Sequence, residues 1–430
     1  MKILNFGGAT AILEHNGKRM LFDPWLDDGI FHGSWYHFPP SLLGVEDMGR
    51  LDYVYISHIH EDHCSAGTIK HINPDAEIIL MDRQPNLVMK FLDSHDFHFK
   101  KIHLIKPRTP VEICPGLIVD MVEPNPADEM AHLIDSSLVL NWGGFIVYNA
   151  NDCQPYKEGI NYLLENYNQI DLALLPYSGG SGYPSCYTNL TDAQKTAEKN
   201  RIINARVSTF IESVRSLNPI NVIPFADQWA VGGSRSHLNK FVSHSSCRGV
   251  VELPFKEAKL QSNLLLLNSG QEYDFETSKK IPDEPYIYKT DDDREQYINS
   301  SLLNAIYDHE RFTFNPSVPL DRLVKYARKR QWETQMNQNY FPSYSFYLDT
   351  SDTNQRFHIR LDSEEIIITS TESTLTEPYL RITAPQSLLI MLLIGHVSWN
   401  IADAAFFLDY ERVPNTYDPK VYAMLNYLRI

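Results

Sequence analysis

The sequence is poor in cysteine and in basic residues, and its hydrophobic runs are short. Its five cysteines stand at irregular spacing without a Cys-x-x-Cys pair, which is typical of reduced thiols, so we expect a cytoplasmic protein. Lys and Arg number 38 against 54 Asp and Glu, and the formal net charge of −16 argues against broad electrostatic binding of nucleic acid or anionic membranes. The longest apolar run, Leu388 to Ile394, is too short to span a bilayer, and Met1 to Gly8 shows no signal-peptide pattern.

The chain does have enough apolar residues for more than one core. Hydrophobic residues make up 43% of its 430 residues, a length that favours two domains. We predict a catalytic domain over 1–270, a charged, Pro-containing linker over 271–294 with a boundary at the Asp291 to Asp293 run, and a smaller C-terminal α/β accessory domain over 295–430. That last domain is compatible with a lipid-binding-like module, a dimerisation surface, a lid, or packing alone.

Four side chains that commonly bind metal fall within six residues: His58, His60, Asp62 and His63. They follow the apolar run 53–56, which predicts a strand that ends in a ligand-bearing loop. Alternate residues of an extended segment point the same way, so His58 and His60 can face one metal ion. Asp62 and His63 face a second point once the chain turns into the next helix. The pattern predicts a two-metal loop, and the alternative is a polar loop with surface histidines.

The pattern His-x-His-x-Asp-His resembles the signature of the metallo-β-lactamase superfamily. This resemblance implies an α/β fold, the αββα sandwich, with one or two metal ions between its two sheets. It also implies three further ligands next to predicted strands: His132, Asp152 as the metal-bridging carboxylate, and His237. Asn151 stands where members of the superfamily often have glycine. The expected catalytic carboxylates are Asp62 and Asp152.

Two N-terminal segments are candidates for supporting this site. A hairpin, predicted from the turn at Asn16 and Gly17, leads into Asp23-Pro24-Trp25. In the superfamily, an exit of this kind lies under the metal loop with a structural aspartate, whereas the alternative for Asp23 is a turn cap. Trp25 is a candidate substrate contact. The aromatic segment 30–40 either covers the metal cleft or packs on the edge of the sandwich.

Four further side chains are candidate substrate contacts because they lie near the expected ligands in sequence: Tyr177, Tyr183, Trp229 and Arg235. Ordinary packing or solvation is the alternative for each. The glycine-rich stretch 178–184 lets the backbone approach a ligand closely, and its N–H groups can hold an anion. No Gly-Lys-Ser/Thr follows, so it is not a P-loop, and a flexible turn is the alternative.

The order of these motifs resembles the catalytic region of the CMP-N-acetylneuraminate hydroxylase family and its bacterial relatives. The similar segments are 151–153, 178–184, 224–227, 235–237, 399–405 and 414–419. The resemblance implies a non-haem di-iron oxygenase. Animal enzymes of this family also carry a Rieske iron–sulfur domain, which needs two Cys-x-His pairs, and this sequence has none. We therefore expect electrons from a separate donor protein or from the substrate itself.

Three functional classes are compatible with these residues. The favoured one is an oxygenase in which two iron ions activate dioxygen and a small or nucleotide-sugar-like substrate is hydroxylated. The alternative is a hydrolase of the phosphodiesterase, lactonase or amidase type, in which zinc, manganese or iron lowers the pKa of a bridging water. The third is a non-catalytic binding subunit. The expected partners are a small-molecule substrate, a separate electron-donor protein and a second copy of the chain in a homodimer.

Overall fold

The protein stacks two large β-sheets face to face and adds a separate sheet near the C-terminus. Our computed structural model describes residues 1–128, 131, 134–226, 229–312 and 319–430. With strands numbered along the chain, the first sheet contains β1 (Lys2–Gly7), β2 (Thr10–His15), β3 (Lys18–Phe22), β5 (Tyr53–Tyr55), β6 (Glu77–Met81), β7 (Lys101–Ile105), β16 (Glu272–Asp274) and β17 (Lys279–Ile281). Their order is β17-β16-β1-β2-β3-β5-β6-β7, with β3, β5, β6 and β7 parallel.

The second sheet contains β8 (Val111–Cys114), β9 (Leu117–Val122), β10 (Ser137–Trp142), β11 (Phe145–Asn149), β12 (Leu172–Pro176), β13 (Asn221–Phe225) and β15 (Asn263–Leu264). Their order is β15-β13-β12-β11-β10-β9-β8. Strands β8 to β11 pair antiparallel, and β11, β12, β13 and β15 pair parallel. The parallel strands read as nearly continuous apolar runs because both of their faces are covered.

The side chains on the two faces of each sheet form three core layers, one between the sheets and one on the outer face of each sheet. Leu13 and Phe22 of the first sheet pack with Leu140 and Leu174 of the second between the sheets. The opposite faces of both sheets are covered by helices, as with the long helix Asp192–Leu217 on the second sheet. This is the predicted αββα sandwich, and the fold class is confirmed.

The described helices lie mostly at strand ends and on these outer faces. The α-helices are Ile30–Gly33, Ala66–Ile69, Leu87–Ser94, Lys157–Asn166, Asp192–Leu217, Glu252–Glu257, Asp291–Tyr297, Asp308–Arg311, Leu320–Gln338, Gln386–Leu393, Trp399–Ala404 and Pro419–Leu425. Val45–Met48, Gly233–Phe241 and Arg248–Val251 are 3₁₀ segments, and Ile298–Leu302 is a π segment. None of the helices in the described residues is long and apolar enough to cross a membrane.

The predicted linker over 271–294 is partly structured. Strands β16 and β17 pair with each other, and β16 pairs with β1, so they extend the first sheet past residue 270. Thr290 caps the helix Asp291–Tyr297, and the acidic run forms its first turn, where negative charge favours the helix N-terminus. The acidic run therefore begins a helix.

The C-terminal module, which we define as residues 319–430, is built on its own sheet. This sheet has the order β20-β19-β18-β21-β22 and contains β18 (Ser345–Thr350), β19 (Gln355–Arg360), β20 (Ile366–Ser370), β21 (Tyr379–Ala384) and β22 (Asp409–Val413). The apolar helix Gln386–Leu393 is buried against it.

The aromatic segment 30–40 joins the sandwich to the C-terminal module. Within it, β4 (Trp35–His37) pairs antiparallel with β14 (Trp229–Val231). Trp35 and Trp229 stack with ring centroids 3.7 Å apart, and both belong to the core cluster of the C-terminal module. Because this cluster is continuous, the two modules share one packed interface.

Candidate metal centre

The loop after β5 and the loop after β11 bring the expected ligands together. The donor atoms of His58, His63 and Asp152 all lie within 4.8 Å of one another. Nε2 of His63 lies 3.3 Å from Oδ1 of Asp152 and 3.5 Å from Oδ2 of Asp62. Nε2 of His58 lies 2.8 Å from Nδ1 of His60. Five of the seven ligands expected from the sequence thus converge on one place.

Asp23 fixes the orientation of two of these histidines from below. Its carboxylate is fully buried and accepts hydrogen bonds from the Ser57 amide (2.7 Å), the Ser57 hydroxyl (3.0 Å) and Nδ1 of His63 (3.0 Å). Since the Ser57 hydroxyl donates to Asp23, it accepts from Nδ1 of His58 (2.9 Å). Both Nε2 atoms are thereby left free to bind a metal, as an outer hydrogen-bond shell does in metalloproteins. Of the two hypotheses for Asp23, the structure favours the one that places it under the metal loop.

The pKa values of the two buried histidines, His58 and His63, are shifted in opposite directions. Burial opposes protonation of His63, but the carboxylates of Asp152, Asp62 and Asp23 outweigh it and raise the pKa of His63 well above its ordinary value. Burial, together with the positive charges of neighbouring histidines, holds the pKa of His58 well below its ordinary value. The cluster thus combines neutral imidazole with carboxylates that attract positive charge, which suits a divalent cation.

Asp135 is a further acidic group at this centre, and sequence reasoning missed it. Its Oδ1 lies 3.9 Å from Nε2 of His58 and has no hydrogen-bond partner among the described residues. Burial, together with the charge of Asp152, raises the pKa of Asp135 well above its ordinary value. A buried carboxylate oxygen without a partner is costly unless a cation or proton meets it, so the donor set fits a bound metal. The available signal was its position three residues after His132.

Asn151, which precedes Asp152, adopts the backbone conformation of the glycine that is common at this position in the superfamily. Asn151 adopts φ of 43°, in the left-handed region that glycine populates freely and asparagine tolerates. Its Oδ1 accepts a hydrogen bond from the Asp152 amide at 2.6 Å. Asn151 therefore supplies the same backbone turn and leaves Asp152 directed at His63.

Of the two remaining expected ligands, the one that the structure describes is not brought to the centre. His237 is exposed on the 3₁₀ segment Gly233–Phe241, and its Nδ1 donates to the backbone oxygen of Ser234 at 3.2 Å. The structure does not bring His237, the expected last ligand, into the cluster, because its ring turns back on its own segment. His132 lies outside the described residues.

A cavity of about 110 Å³ opens directly beside the cluster. Its lining comprises Phe31, Trp35, His60, Asp62, Asp152, Ser178, Gly179, Gly180, Ala226, Trp229, Asn400, Asp403 and Ala404. The last three residues belong to the helix Trp399–Ala404, so the C-terminal module closes one side of the site. Oδ1 of Asn400 accepts a hydrogen bond from Nε2 of His60 at 2.9 Å.

Asp403 ties the C-terminal helix to the glycine-rich loop. Its carboxylate accepts hydrogen bonds from the Gly182 amide and the Tyr410 hydroxyl, and burial raises the pKa of Asp403 to about 6. A Cβ on Gly182 would lie 2.8 Å from Oδ1 of Asp403, so the close approach requires glycine there. Sequence reasoning missed both Asn400 and Asp403.

Of the candidate substrate contacts, Trp229 lines the cavity and four others do not. Trp25 is buried, donates from Nε1 to the Asp27 oxygen and stacks on His37. Arg235 is held by Asp409 at 2.6 Å and by the Phe406 oxygen at 2.8 Å.

The two tyrosines also have packing positions. Tyr183 donates to Glu198 at 2.9 Å and accepts from Asn415 at 3.0 Å, and Tyr177 is buried under the second sheet. The structure thus places Trp25, Tyr177, Tyr183 and Arg235 in the core or at the interface between the modules and not in the lining of the cavity.

The fold is an αββα sandwich, and the site is a candidate metal centre. Residues 2–147 match the family model described as "Beta-lactamase superfamily domain". The predicted resemblance to the metallo-β-lactamase superfamily is thereby confirmed.

Relatives of known sequence also include the second expected family. The chain is 25% identical over 339 residues to cytidine monophosphate-N-acetylneuraminic acid hydroxylase of Danio rerio, covering 71% of this chain and 53% of that protein. It is 30% identical over 196 residues to a protein of Mycolicibacterium smegmatis named "Putative Rieske 2Fe-2S iron-sulfur protein", covering 44% of this chain and 36% of that protein. The chain thus spans about a third to a half of the length of these relatives.

Among solved structures, the fold is similar to that of isothiocyanate hydrolase from Delia radicum gut bacteria. The TM-score is 0.46 at 18% identity, over 64% of this chain and 99% of that one.

Proposed function

We propose that this protein is a two-metal oxygenase that hydroxylates a small, nucleotide-sugar-like molecule, with iron as the favoured metal. The observation that carries the proposal is the convergence of imidazole and carboxylate donors from His58, His63 and Asp152, with His60 and Asp62 beside them. The hydroxylase relative supports it, because the similarity covers 71% of the chain and so extends well beyond the superfamily domain at residues 2–147.

The donor chemistry restricts the metal without fixing it. Imidazole and carboxylate ligands suit iron, zinc and manganese alike. Iron bound there would supply dioxygen activation, whereas zinc or manganese would supply activation of water near neutral pH. His58, His60, Asp62, His63 and Asp152 would hold the metal ions, and Asp135 offers a further oxygen.

The chain itself prepares the site before any substrate arrives. Asp23 and Ser57 hold the Nδ1 atoms of His58 and His63, so no reorientation of these rings is needed. The aromatic side chains of Phe31, Trp35 and Trp229 exclude water from one wall of the cavity. Asp152, with a side chain 38% exposed, faces the open space and can accept a proton from a bound water or substrate hydroxyl.

The proposed hydroxylation must balance its electrons. One oxygen atom of dioxygen enters a C–H bond of the substrate, and the other leaves as water. Two electrons and two protons are required, and we propose that a separate electron-donor protein supplies the electrons.

A metal-dependent hydrolase is the second candidate. The position of Asp152 is compatible with it, because a partly exposed carboxylate beside His63 can orient an attacking water. The two functions differ in whether dioxygen is consumed.

The deciding experiment is a turnover assay with labelled dioxygen. The iron-loaded protein is mixed with a chemical reductant and cytidine monophosphate-N-acetylneuraminic acid, the compound in the name of the hydroxylase relative. Labelled oxygen in the product, lost in His63→Ala and retained in His98→Ala, supports the oxygenase; His98 is an exposed surface residue. Product formed without dioxygen uptake supports the hydrolase and contradicts the oxygenase.

A further inference from the structure

The glycine-rich loop 178–180 forms one wall of the cavity beside the metal centre. It runs so close to the aromatic wall that a Cβ on Gly180 would lie 2.8 Å from Cη2 of Trp35. The loop therefore presents backbone and one small side chain to the cavity, and not a bulky group. A wall of this kind permits a polar part of a ligand to approach closely.

Ser178 brings an unsatisfied hydroxyl to this wall. The residue is only 7% exposed, and its Oγ has no hydrogen-bond partner in the part of the chain that the structure describes. Buried hydroxyl groups are normally hydrogen-bonded, because leaving one unpaired is costly. Since Ser178 lines the cavity, a ligand there can supply the missing partner.

Arg206, on the helix Asp192–Leu217, lies against the same loop. A Cβ on Gly179 would be 3.5 Å from both Nε and Nη2 of Arg206, so the guanidinium packs on the loop backbone. No carboxylate among the described residues forms an ion pair with Arg206. By contrast, Arg201 on the same helix is paired with Glu198 at 2.8 Å. Arg206 is thus a half-buried cation beside Gly179, which lines the cavity, and it has no counter-charge in the described part of the chain.

We propose that Ser178 and Arg206, arranged around Gly179, bind an anionic oxygen group of the substrate, either a carboxylate or a phosphate. A guanidinium offers paired N–H donors that match both groups, and a hydroxyl can donate a third hydrogen bond. Asp62, Asp152 and Asp403 are among the other residues that line the cavity, and their negative charges would repel the anionic group toward Arg206. The identification of the bound anion as a substrate group rests on the proposed function; the binding itself does not.

The test is calorimetric titration of the full chain, with its metal as purified, with inorganic phosphate and separately with acetate at constant ionic strength. We expect Arg206→Gln to weaken binding at least about tenfold, because charge-assisted hydrogen bonds contribute on that order. The anion affinity of Arg206→Lys should lie between those of wild type and Arg206→Gln, since lysine keeps the positive charge but lacks the paired N–H donors. Ser178→Ala should also weaken binding. The anion that binds more tightly indicates whether the subsite prefers phosphate or carboxylate.

Arg215→Gln is the matched control. Arg215 is an exposed arginine on the same helix, and its loss changes the net charge by the same amount. Unchanged binding in Arg215→Gln with weakened binding in Arg206→Gln supports the subsite. Equal binding in wild type, Arg206→Gln and Arg215→Gln, or no saturable binding by wild type, overturns it.

Repeating the titration after chelation separates this proposal from the proposed function. If the chain binds no metal but still binds the anion through Arg206, the subsite stands and the two-metal oxygenase fails. If the chain binds metal and its anion binding is indifferent to Arg206, the subsite fails alone.

Discussion

Oδ1 of Asn400 lies 2.9 Å from Nε2 of His60, although 340 residues separate the two in sequence. The amide oxygen accepts the Nε2 proton, which leaves Nδ1 of His60 facing Nε2 of His58 at 2.8 Å. A contact from the C-terminal module therefore fixes which nitrogen of an expected ligand is available to a metal. This relationship makes the C-terminal module part of the candidate centre.

Replacing Asn400 by alanine should weaken metal binding without unfolding the protein. Loss of an outer hydrogen bond to a ligating histidine typically costs about 10–100-fold in metal affinity. Asn400 is exposed, so the free energy of unfolding should change by less than about 0.5 kcal/mol. Competition titration with a chromophoric chelator measures the affinity. Asn400→Asp, which keeps the acceptor, should stay near wild type, and the exposed Asn161→Ala is the control; equal affinity in Asn400→Ala and wild type would show that the contact has no such role.

Asp23→Asn tests the buried support beneath the ligands. Asparagine tolerates the φ of 43° at this position, so the backbone is retained. The amide has one acceptor oxygen in place of two, and either His63 or Ser57 loses its partner. We expect metal affinity to fall about 10–100-fold and the free energy of unfolding to fall by about 1–3 kcal/mol.

Asp120→Asn is the control for that variant. Asp120 is a buried aspartate of the second sheet that accepts hydrogen bonds from Tyr162 and Tyr167. The Asp120→Asn variant should be less stable than wild type but should bind metal with the same affinity. A loss of affinity of the same size in both variants would point to general destabilisation and contradict the specific role of Asp23.

His244 should make stability depend on acid pH. It is buried against Trp229, its Nε2 has no hydrogen-bond partner in the described chain, and burial with the nearby Arg294 charge lowers the pKa of His244 to about 3. The unfolded chain binds this proton below about pH 6.5 while the folded chain does not, so stability is present above that pH and is lost as pH falls toward 3. The contribution lost between about pH 7 and about pH 5 is about 2 kcal/mol.

Urea unfolding of wild type and His244→Gln at these two pH values measures the effect. Between these pH values, the free energy of unfolding of His244→Gln should fall by about 2 kcal/mol less than that of wild type, whatever the stability of the variant at neutral pH. Identical decreases in the two proteins would show that His244 does not titrate differently on folding.

Gly180→Ala should strain the cavity wall. The added methyl group would lie 2.8 Å from Trp35, whose ring is held by its stack on Trp229. Overpacking of this kind costs about 1–3 kcal/mol and should change the tryptophan fluorescence. In Gly179→Ala the methyl group would meet Arg206 at 3.5 Å, an ordinary contact, so thermal denaturation should show a much smaller loss. Equal losses would contradict the packing described for the loop.

Features encoded within a few residues of each other were predictable. His58 to His63 directly follow a buried strand, so local pattern and strand geometry are enough to predict a ligand-bearing loop there. Asp152, which also follows a buried strand, is predicted through the resemblance to the superfamily. The hairpin of β2 and β3 follows from Asn16 and Gly17, which both adopt positive φ.

Features that depend on distant parts of the chain were not predictable in the same way. No local pattern links Asn400 or Asp403 to a loop more than two hundred residues away, because the contact arises when the two modules pack. His237 was placed by motif order alone, and the 3₁₀ segment that carries it turns its side chain to solvent. Arg235 has a charged side chain of the kind that often contacts a substrate, but its guanidinium forms an ion pair with Asp409.

The most direct test of the two-metal proposal is metal analysis of the protein purified without added metal, followed by an absorption spectrum before and after anaerobic reduction and exposure to oxygen. The proposal predicts about two irons per chain and a spectrum that changes when oxygen is admitted. Fewer than about one metal ion per chain, even after reconstitution with iron, zinc or manganese, would contradict it.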